Sequence, residues 1–302
     1  MLYQAIIKTL VYADMFDYPL TQEEIWKRLI KLKIKNVTTS AGSRNGGKKL
    51  KMILKKTKLM EEKNKYYFLR GREKLSNIRI KREKWSEKKQ KIAKEVASLL
   101  KLIPTIKLVG ITGALAVNNA EENDDIDLFI ITSSKLLWTT RFLATILAEL
   151  TGKRRHPRDI SVNNKICLNM FVDEGHLSIP AKEQDLFSAH EVAQMKPIWE
   201  KNGIYQKFLR ANLWVKEYLP NATEEDIKIL RYEDIKKKSL SILISKYLSL
   251  LENIFRKIQI RYMQKRRTTE IIRDGIIRFH PQDARKWVLR EYKKRLEKYR
   301  IA

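Results

Sequence analysis

The 302-residue sequence predicts an α+β fold, with strands gathered in the middle of the chain and helices on either side. Three observations carry that prediction. Short apolar runs, IKLVGI, DLFIIT and KICLNMFV, fall between residues 106 and 172. Helical periodicity separates the last two runs and takes over after residue 183. Before residue 73, helical stripes lead into two short apolar arms around Lys63-Asn64, the signature of a hairpin. The interleaving by itself leaves an α/β and an α+β centre both open.

Leu2, Ile6, Leu10 and Val11 mark the first helical stripe. Thr21 starts a second helix, and Glu24 three residues later completes a capping box. Ile25, Leu29 and Ile30 supply its apolar face. A polar stretch, TTSAGSRNGG, precedes a third, very basic helix over about Lys48–Lys58, and LMEEKNKYYFL then forms the hairpin. Three helices followed by a hairpin is the order of a winged helix, so residues 1–72 read as a winged-helix-like domain. Lys48, Lys49, Lys51, Lys55, Lys56 and Lys58 would sit on the third helix. They serve either as phosphate contacts or as a solvated face of a module used for protein packing.

Residues 73–104 read as a connecting helix. Its apolar positions, among them Trp85, Ile92, Val96 and Leu99, thicken toward the C-terminal end, and Pro104 ends it. Residues 105–182 hold the strands Ile106–Ile111, Asp127–Thr132 and Lys165–Val172, with a short fourth expected at His176–Ile179. DLFIIT is nearly continuously apolar, as a strand buried on both faces should be. The helix after it ends at Gly152. Residues 183–302 read as a C-terminal helical domain, broken at Pro220-Asn221 and Phe279–Pro281.

Lysine and arginine number 63 against 35 acids, giving a formal net charge of +28 and a pI of about 10.0. That field attracts polyanions, nucleic acid (RNA or DNA) before anionic membrane. A surface solvated by lysine is the alternative. The single cysteine, Cys167, excludes an internal disulfide and a cysteine metal cage. The four histidines lack HxxxH or HExxH spacing, which argues against zinc and Ser-His-Asp chemistry. No apolar run approaches the roughly 20 residues needed to cross a bilayer, and the N-terminus lacks a basic leader. A cytoplasmic protein without a membrane partner is therefore expected. Composition sets no oligomeric state.

The stretch GITGALAVNNAEENDDIDLFIIT carries the chemistry. A strand delivers the chain to Thr112-Gly113-Ala114, where a glycine at a helix start lets backbone N–H groups approach a phosphate. Ten residues later, Asp125 and Asp127 open the next strand. Alternation points both carboxylates the same way, with Ile126 and Leu128 turned to the core. Two adjacent carboxylates repel unless a cation lies between them. Mg²⁺ is bound by one or two carboxylates together with substrate phosphates. A solvated acidic turn is the competing reading.

At these residues the chain resembles the DNA polymerase β-like nucleotidyltransferase superfamily, whose pattern here reads LVGITGA, LAVNNAEEND, DIDLFII. The resemblance covers about residues 105–182. It implies a mixed sheet with helices on one face, a nucleoside triphosphate as donor, and Mg²⁺ or Mn²⁺. It further implies that Thr112, Gly113 and Ala114 cradle the triphosphate and that Asp125 and Asp127 hold metal. Ala114 stands where serine or glycine is usual. The family's third carboxylate falls on the strand KICLNMFV. Alternation gives that strand a buried face of Ile166, Leu168, Met170 and Val172, and an opposite face of Cys167, Asn169 and Phe171. Asn169 is the best-aligned position for the third catalytic group, and it cannot take a proton.

Other candidates read as structural. Arg141, Arg154, Arg155 and His156 are surface charge in preference to triphosphate ligands, and Cys167 is a small sheet residue. His280 sits in a turn that Asp283 caps. The expected activity is Mg²⁺-dependent transfer of a nucleoside monophosphate to a hydroxyl acceptor, nucleic acid by charge. The alternatives are a catalytically inactive nucleic-acid-binding or regulatory protein, and a small-molecule nucleotidyltransferase.

Overall fold

The computed structural model describes residues 1–33, 58–157, 159–222, 240–264, 271–278 and 284–301. The basic helix expected over Lys48–Lys58 lies outside the described residues except for Lys58, and so does the segment with His280 and Asp283.

Helix α1 (Leu2–Asp14) buries Ile6, Ile7, Leu10 and Val11, the stripe its sequence shows. Helix α2 (Gln22–Lys27) begins at Thr21 with the expected capping box. Glu24 N–H donates to Thr21 Oγ1 at 3.2 Å, and Thr21 N–H donates to Glu24 Oε2 at 2.8 Å. Strands β1 (Met60–Lys63) and β2 (Tyr66–Leu69) pair antiparallel. The turn between them is Asn64-Lys65, both at positive φ, one residue beyond the expected position.

Helix α3 (Lys74–Leu100) is the connector, and it ends at Leu100, before Pro104. It carries a buried polar stripe, Arg79, Arg82, Ser86 and Lys89, spaced three or four residues apart and so on one face. Arg79 is 2% exposed. Its guanidinium bonds Glu24 at 3.0 Å and Glu83 at 3.1 Å and lies over the Tyr18 ring, 4.1 Å from the centroid. A buried cation is tolerable only when paired in this way.

The central elements follow in chain order: β3 (Ile106–Ile111), a short α4 (Gly113–Ala116), β4 (Ile126–Thr132), α5 (Leu137–Leu150) and β5 (Ile166–Asp173). Then come α6 (Leu186–Gln194), β6 (Lys196–Glu200), α7 (Ile204–Ala211), α8 (Leu240–Gln264), β7 (Ile271–Arg273), β8 (Ile276–Arg278) and α9 (Ala284–Lys298). Among the described residues six strands form one sheet in the order β6-β3-β4-β5-β8-β7, in which β4 and β5 run parallel and the other neighbours antiparallel. The fold is therefore mixed α+β with a mixed sheet and a helix-rich C-terminal region.

Three expectations need correction. His176–Ile179 is not a strand. The region after residue 183 is not wholly helical, because β6 pairs with β3 and the β7–β8 hairpin pairs with β5. KPIWE and the two IIR arms are too short for periodicity to register. Finally, helices cover both faces of the sheet. Ile126, Leu128 and Ile130 pack with α3 and α5, while Phe129 and Ile131 pack with α1, α6 and α7.

Arg79→Ala should destabilise the protein by about 3–5 kcal/mol, the usual cost of leaving a buried ion pair half broken. The measurement is urea denaturation followed by circular dichroism. A loss under 1 kcal/mol would mean that α3 does not depend on this ion pair.

Candidate functional site

The acidic stretch divides into parts with different jobs. Glu121 pairs with Arg82 of α3, and its N–H donates to Asp124 Oδ2 at 2.7 Å. Lys89 Nζ donates to the carbonyl oxygens of Glu122 at 2.9 Å and Asp124 at 2.6 Å, and to Oδ1 of Asn163 and Asn164. Ser86 Oγ accepts from Ala120 N–H at 3.1 Å. The buried stripe of α3 thus holds the loop by its backbone. Two acids remain to converge at the head of β4, Asp125 and Asp127.

The parallel register places Asp127 opposite Cys167. One ligand atom each from Asp125, Asp127 and Cys167 lie within 4.8 Å of one another. Gly113 has φ +64°, a left-handed conformation natural to glycine, and a Cβ there would stand 3.5 Å from Asp127 Oδ2. Thr112 N–H donates to the Asp127 carbonyl at 3.2 Å. The structure therefore brings the glycine turn and the second aspartate face to face. Thr112 and Ala114 line two separate cavities on that side of the sheet.

Burial pushes the Asp127 carboxyl up to about 7, with the neighbouring Asp125 charge adding to the effect. A hydrogen bond with the Cys167 thiol and the charge of Arg155 act in the opposite direction. Burial, together with the two aspartates, raises the Cys167 thiol well above its ordinary value, so it stays protonated. Arg155 Nη1 donates to Asp125 Oδ2 at 2.6 Å and lies 4.0 Å from Cys167 Sγ.

Strand β5 departs from simple alternation. Its pairing with β4 slips between Asp127 and Phe129. As a result Met170 and Val172 pack with Phe129 and Ile131, while Ile166, Leu168 and Phe171 pack on the opposite side. The expected single face of Ile166, Leu168, Met170 and Val172 does not exist, because a bulge shifts the side-chain parity. Asn169 lies in this irregular stretch, 4% exposed, with its Oδ1 lacking a hydrogen-bond partner among the described residues. Cys167 is the β5 residue the structure sets beside the aspartates.

Arg154 and His156 reach Glu149, at 2.8 and 3.1 Å. Arg141 is not surface charge: its guanidinium bonds Gln259 of α8, and burial lowers its pKa to about 10. Two participants escape sequence reasoning. Arg155 reads as one basic residue among many. Glu191, in α6, lines both cavities, its charge is felt at Asp127, and burial pushes its carboxyl up to about 7. Nothing in LFSAHEVAQ marks it except an acid within a mostly apolar helix.

Two carboxylates, one of them raised by burial and by its neighbour's charge, fit a single hard divalent cation, which would relieve their repulsion. The third nearby group is a thiol, a donor suited to softer metals and not to Mg²⁺. The residues thus fit Mg²⁺ through Asp125 and Asp127 alone. Comparison with protein families, curated proteins and solved structures returns no match for this chain.

The raised Asp127 carboxyl has a consequence for stability. An unfolded aspartate loses its proton near pH 4, while the folded one keeps it to about 7. Between those values the folded state binds more protons, so this group costs stability as pH rises from about 4 to 7. Asp127→Asn lacks that loss. In metal-free buffer it should be more stable than the parent at pH 8 by at least about 1 kcal/mol, a gain absent at pH 4. Urea melts at the two pH values test this, and a pH-independent difference would contradict it.

Proposed function

We propose that the protein is a metal-dependent nucleotidyltransferase that passes a nucleoside monophosphate from a nucleoside triphosphate to a hydroxyl acceptor, releasing pyrophosphate. The observation that carries this reading is the juxtaposition of Gly113 with the Asp125–Asp127 pair across the β3–β4 turn. On this reading the central sheet belongs to a nucleotidyltransferase-type domain, flanked by a winged-helix-like module and by a helix-rich C-terminal region that also lends β6, β7 and β8 to the sheet. The net charge of +28 supports nucleic acid, RNA or DNA, as the acceptor. Among the described residues no helix is long and apolar enough to cross a membrane, and a cytoplasmic site of action accords with that.

Asp125 and Asp127 hold the cation, which would neutralise phosphate charge and orient the donor. Gly113 leaves room at the turn for a phosphate to approach backbone N–H groups. Arg155 neutralises Asp125. With metal on the pair, its guanidinium is free to turn to the donor's phosphates, for which its planar fork is suited.

A second reading has its own support. Cys167 stands where a third acid would complete the pair, and Arg155 already satisfies Asp125. Both favour a catalytically inactive, nucleic-acid-binding protein built on the same scaffold.

Labelled nucleoside triphosphates, Mg²⁺ or Mn²⁺ and total RNA decide between them. The parent protein should transfer label, and Asp125→Asn with Asp127→Asn should abolish it. Cys167→Asp should raise Mg²⁺-dependent turnover at least about tenfold if a third carboxylate is what the site lacks, since one well-placed general base contributes 10²–10⁴-fold. Absence of transfer with every donor leaves the binding role.

A further inference from the structure

The larger cavity beside the site has a volume of about 370 Å³, inside the range of sites that bury a small molecule. It lies on the side of the sheet toward which Asp127 points, between β4, β5, α6 and the β7–β8 hairpin. Thr112, of the glycine turn, is at one wall. Phe129, Met170, Met195 and Phe208 supply flat or soft apolar surface, with the two phenylalanine rings tilted at 5.4 Å between centroids. Cations rim it: Arg278, Arg285 and the exposed Lys286. Arg278 is held by Glu183 at 2.8 Å.

One polar group inside is unexplained by packing. The Glu191 carboxylate borders both cavities and makes no hydrogen bond or salt bridge among the described residues. This carboxylate is half-buried, with the Arg278 charge acting on it, and its hydrogen-bonding capacity is left to a ligand in the cavity. Around it stand apolar walls, the glycine turn, the aspartate pair and, on the cavity rim, Arg278. Aromatic and methionine walls within a cationic rim match a ligand that is aromatic at its tip and anionic behind it. A nucleic-acid strand end has that chemistry.

We propose that this cavity receives the terminal nucleoside of the acceptor strand, its base among Phe129, Met170, Met195 and Phe208 and its free hydroxyl against Glu191. The strand's phosphates lead out past Lys286. The assignment rests on the nucleotidyltransferase reading and names its acceptor. Glu191 takes the proton of the hydroxyl as that oxygen bonds to the α-phosphorus of the donor triphosphate. The bond from the α-phosphorus to the bridging oxygen breaks, and its electron pair leaves with pyrophosphate. Glu191 so performs the proton transfer that neither Cys167 nor Asn169 is equipped for.

The test compares two fluorescein-labelled adenosine dodecamers, one with an intact 3′-terminal nucleoside and one abasic at that position, by anisotropy without metal or donor. The intact end should bind about 5- to 150-fold more tightly, the worth of stacking one base. Val192→Trp, which fills the cavity, should erase that preference, and Lys286→Glu should weaken both oligonucleotides. Glu191→Gln should keep the preference and lower transfer by about 10²- to 10⁴-fold. Equal affinity for the two ends overturns the site, and this comparison needs no variant to fold. A preference that survives in folded Val192→Trp also overturns it. End-specific binding with no transfer by the parent protein overturns the nucleotidyltransferase reading and the role of Glu191, and leaves the base site standing.

Discussion

The candidate site depends on a buried ammonium. Lys89, 2% exposed, sits on the inner face of a 27-residue helix and gathers two backbone carbonyls and two asparagine side chains. An ammonium buried without acceptors would lose several kcal/mol of hydration. Here its donors are spent on the loop that precedes β4 and on the two asparagines ahead of β5. That loop carries like charges, and Lys89 offsets them from below while fixing the backbone of Glu122 and Asp124. Arg82 does the same two turns earlier by engaging Glu121, Asn119 and the carbonyls of Phe16 and Asp17. The helix is thus a polar spine that joins the N-terminal module to the mouth of the sheet.

The spine explains how the aspartate pair can exist without distorting the strand behind it. Neighbouring carboxylates are stable only if charge is neutralised or a proton is retained. Both devices are present. Arg155 neutralises Asp125, and Asp127 retains its proton to about pH 7. A divalent cation would replace both at once, displacing the proton and freeing the guanidinium. The aspartate pair is thus held in balance by a guanidinium and a proton.

Much of this architecture is legible in the sequence, and the illegible parts share physical causes. Strands Ile106–Ile111 and Ile126–Thr132 are apolar along their length and bounded by turns, so their position follows from composition alone. The Thr21–Glu24 capping box is local and therefore readable. Strand Lys196–Glu200 is half-buried at every position, which leaves no contrast for periodicity to detect. The face of Asn169 was predicted by counting twos, and a bulge, which depends on the partner strand, breaks the count. The polar stripe of α3 goes unmarked in the sequence, where residues 73–104 read only as a connecting helix, because a sequence does not reveal which cations are paired beneath a loop arriving 33 residues later.

The same limit governs Glu191. A third carboxylate is sought on the strand beside the pair, because that is where neighbouring backbone would aim it. The chain sets a thiol there, and the thiol, raised by burial and by the two aspartates, donates a hydrogen bond instead of accepting a proton. An acid reaching the same side of the sheet from α6 needs no relation in sequence to the pair, only a helix packed across that face. Helix α6 is packed there by Leu186, Ala189 and Val192, which leaves Glu191 turned along the cavities and not into the core. On the proposed reading, the capacity to move a proton at this site rests on how a helix docks against the sheet, and not on the strand beside the aspartate pair.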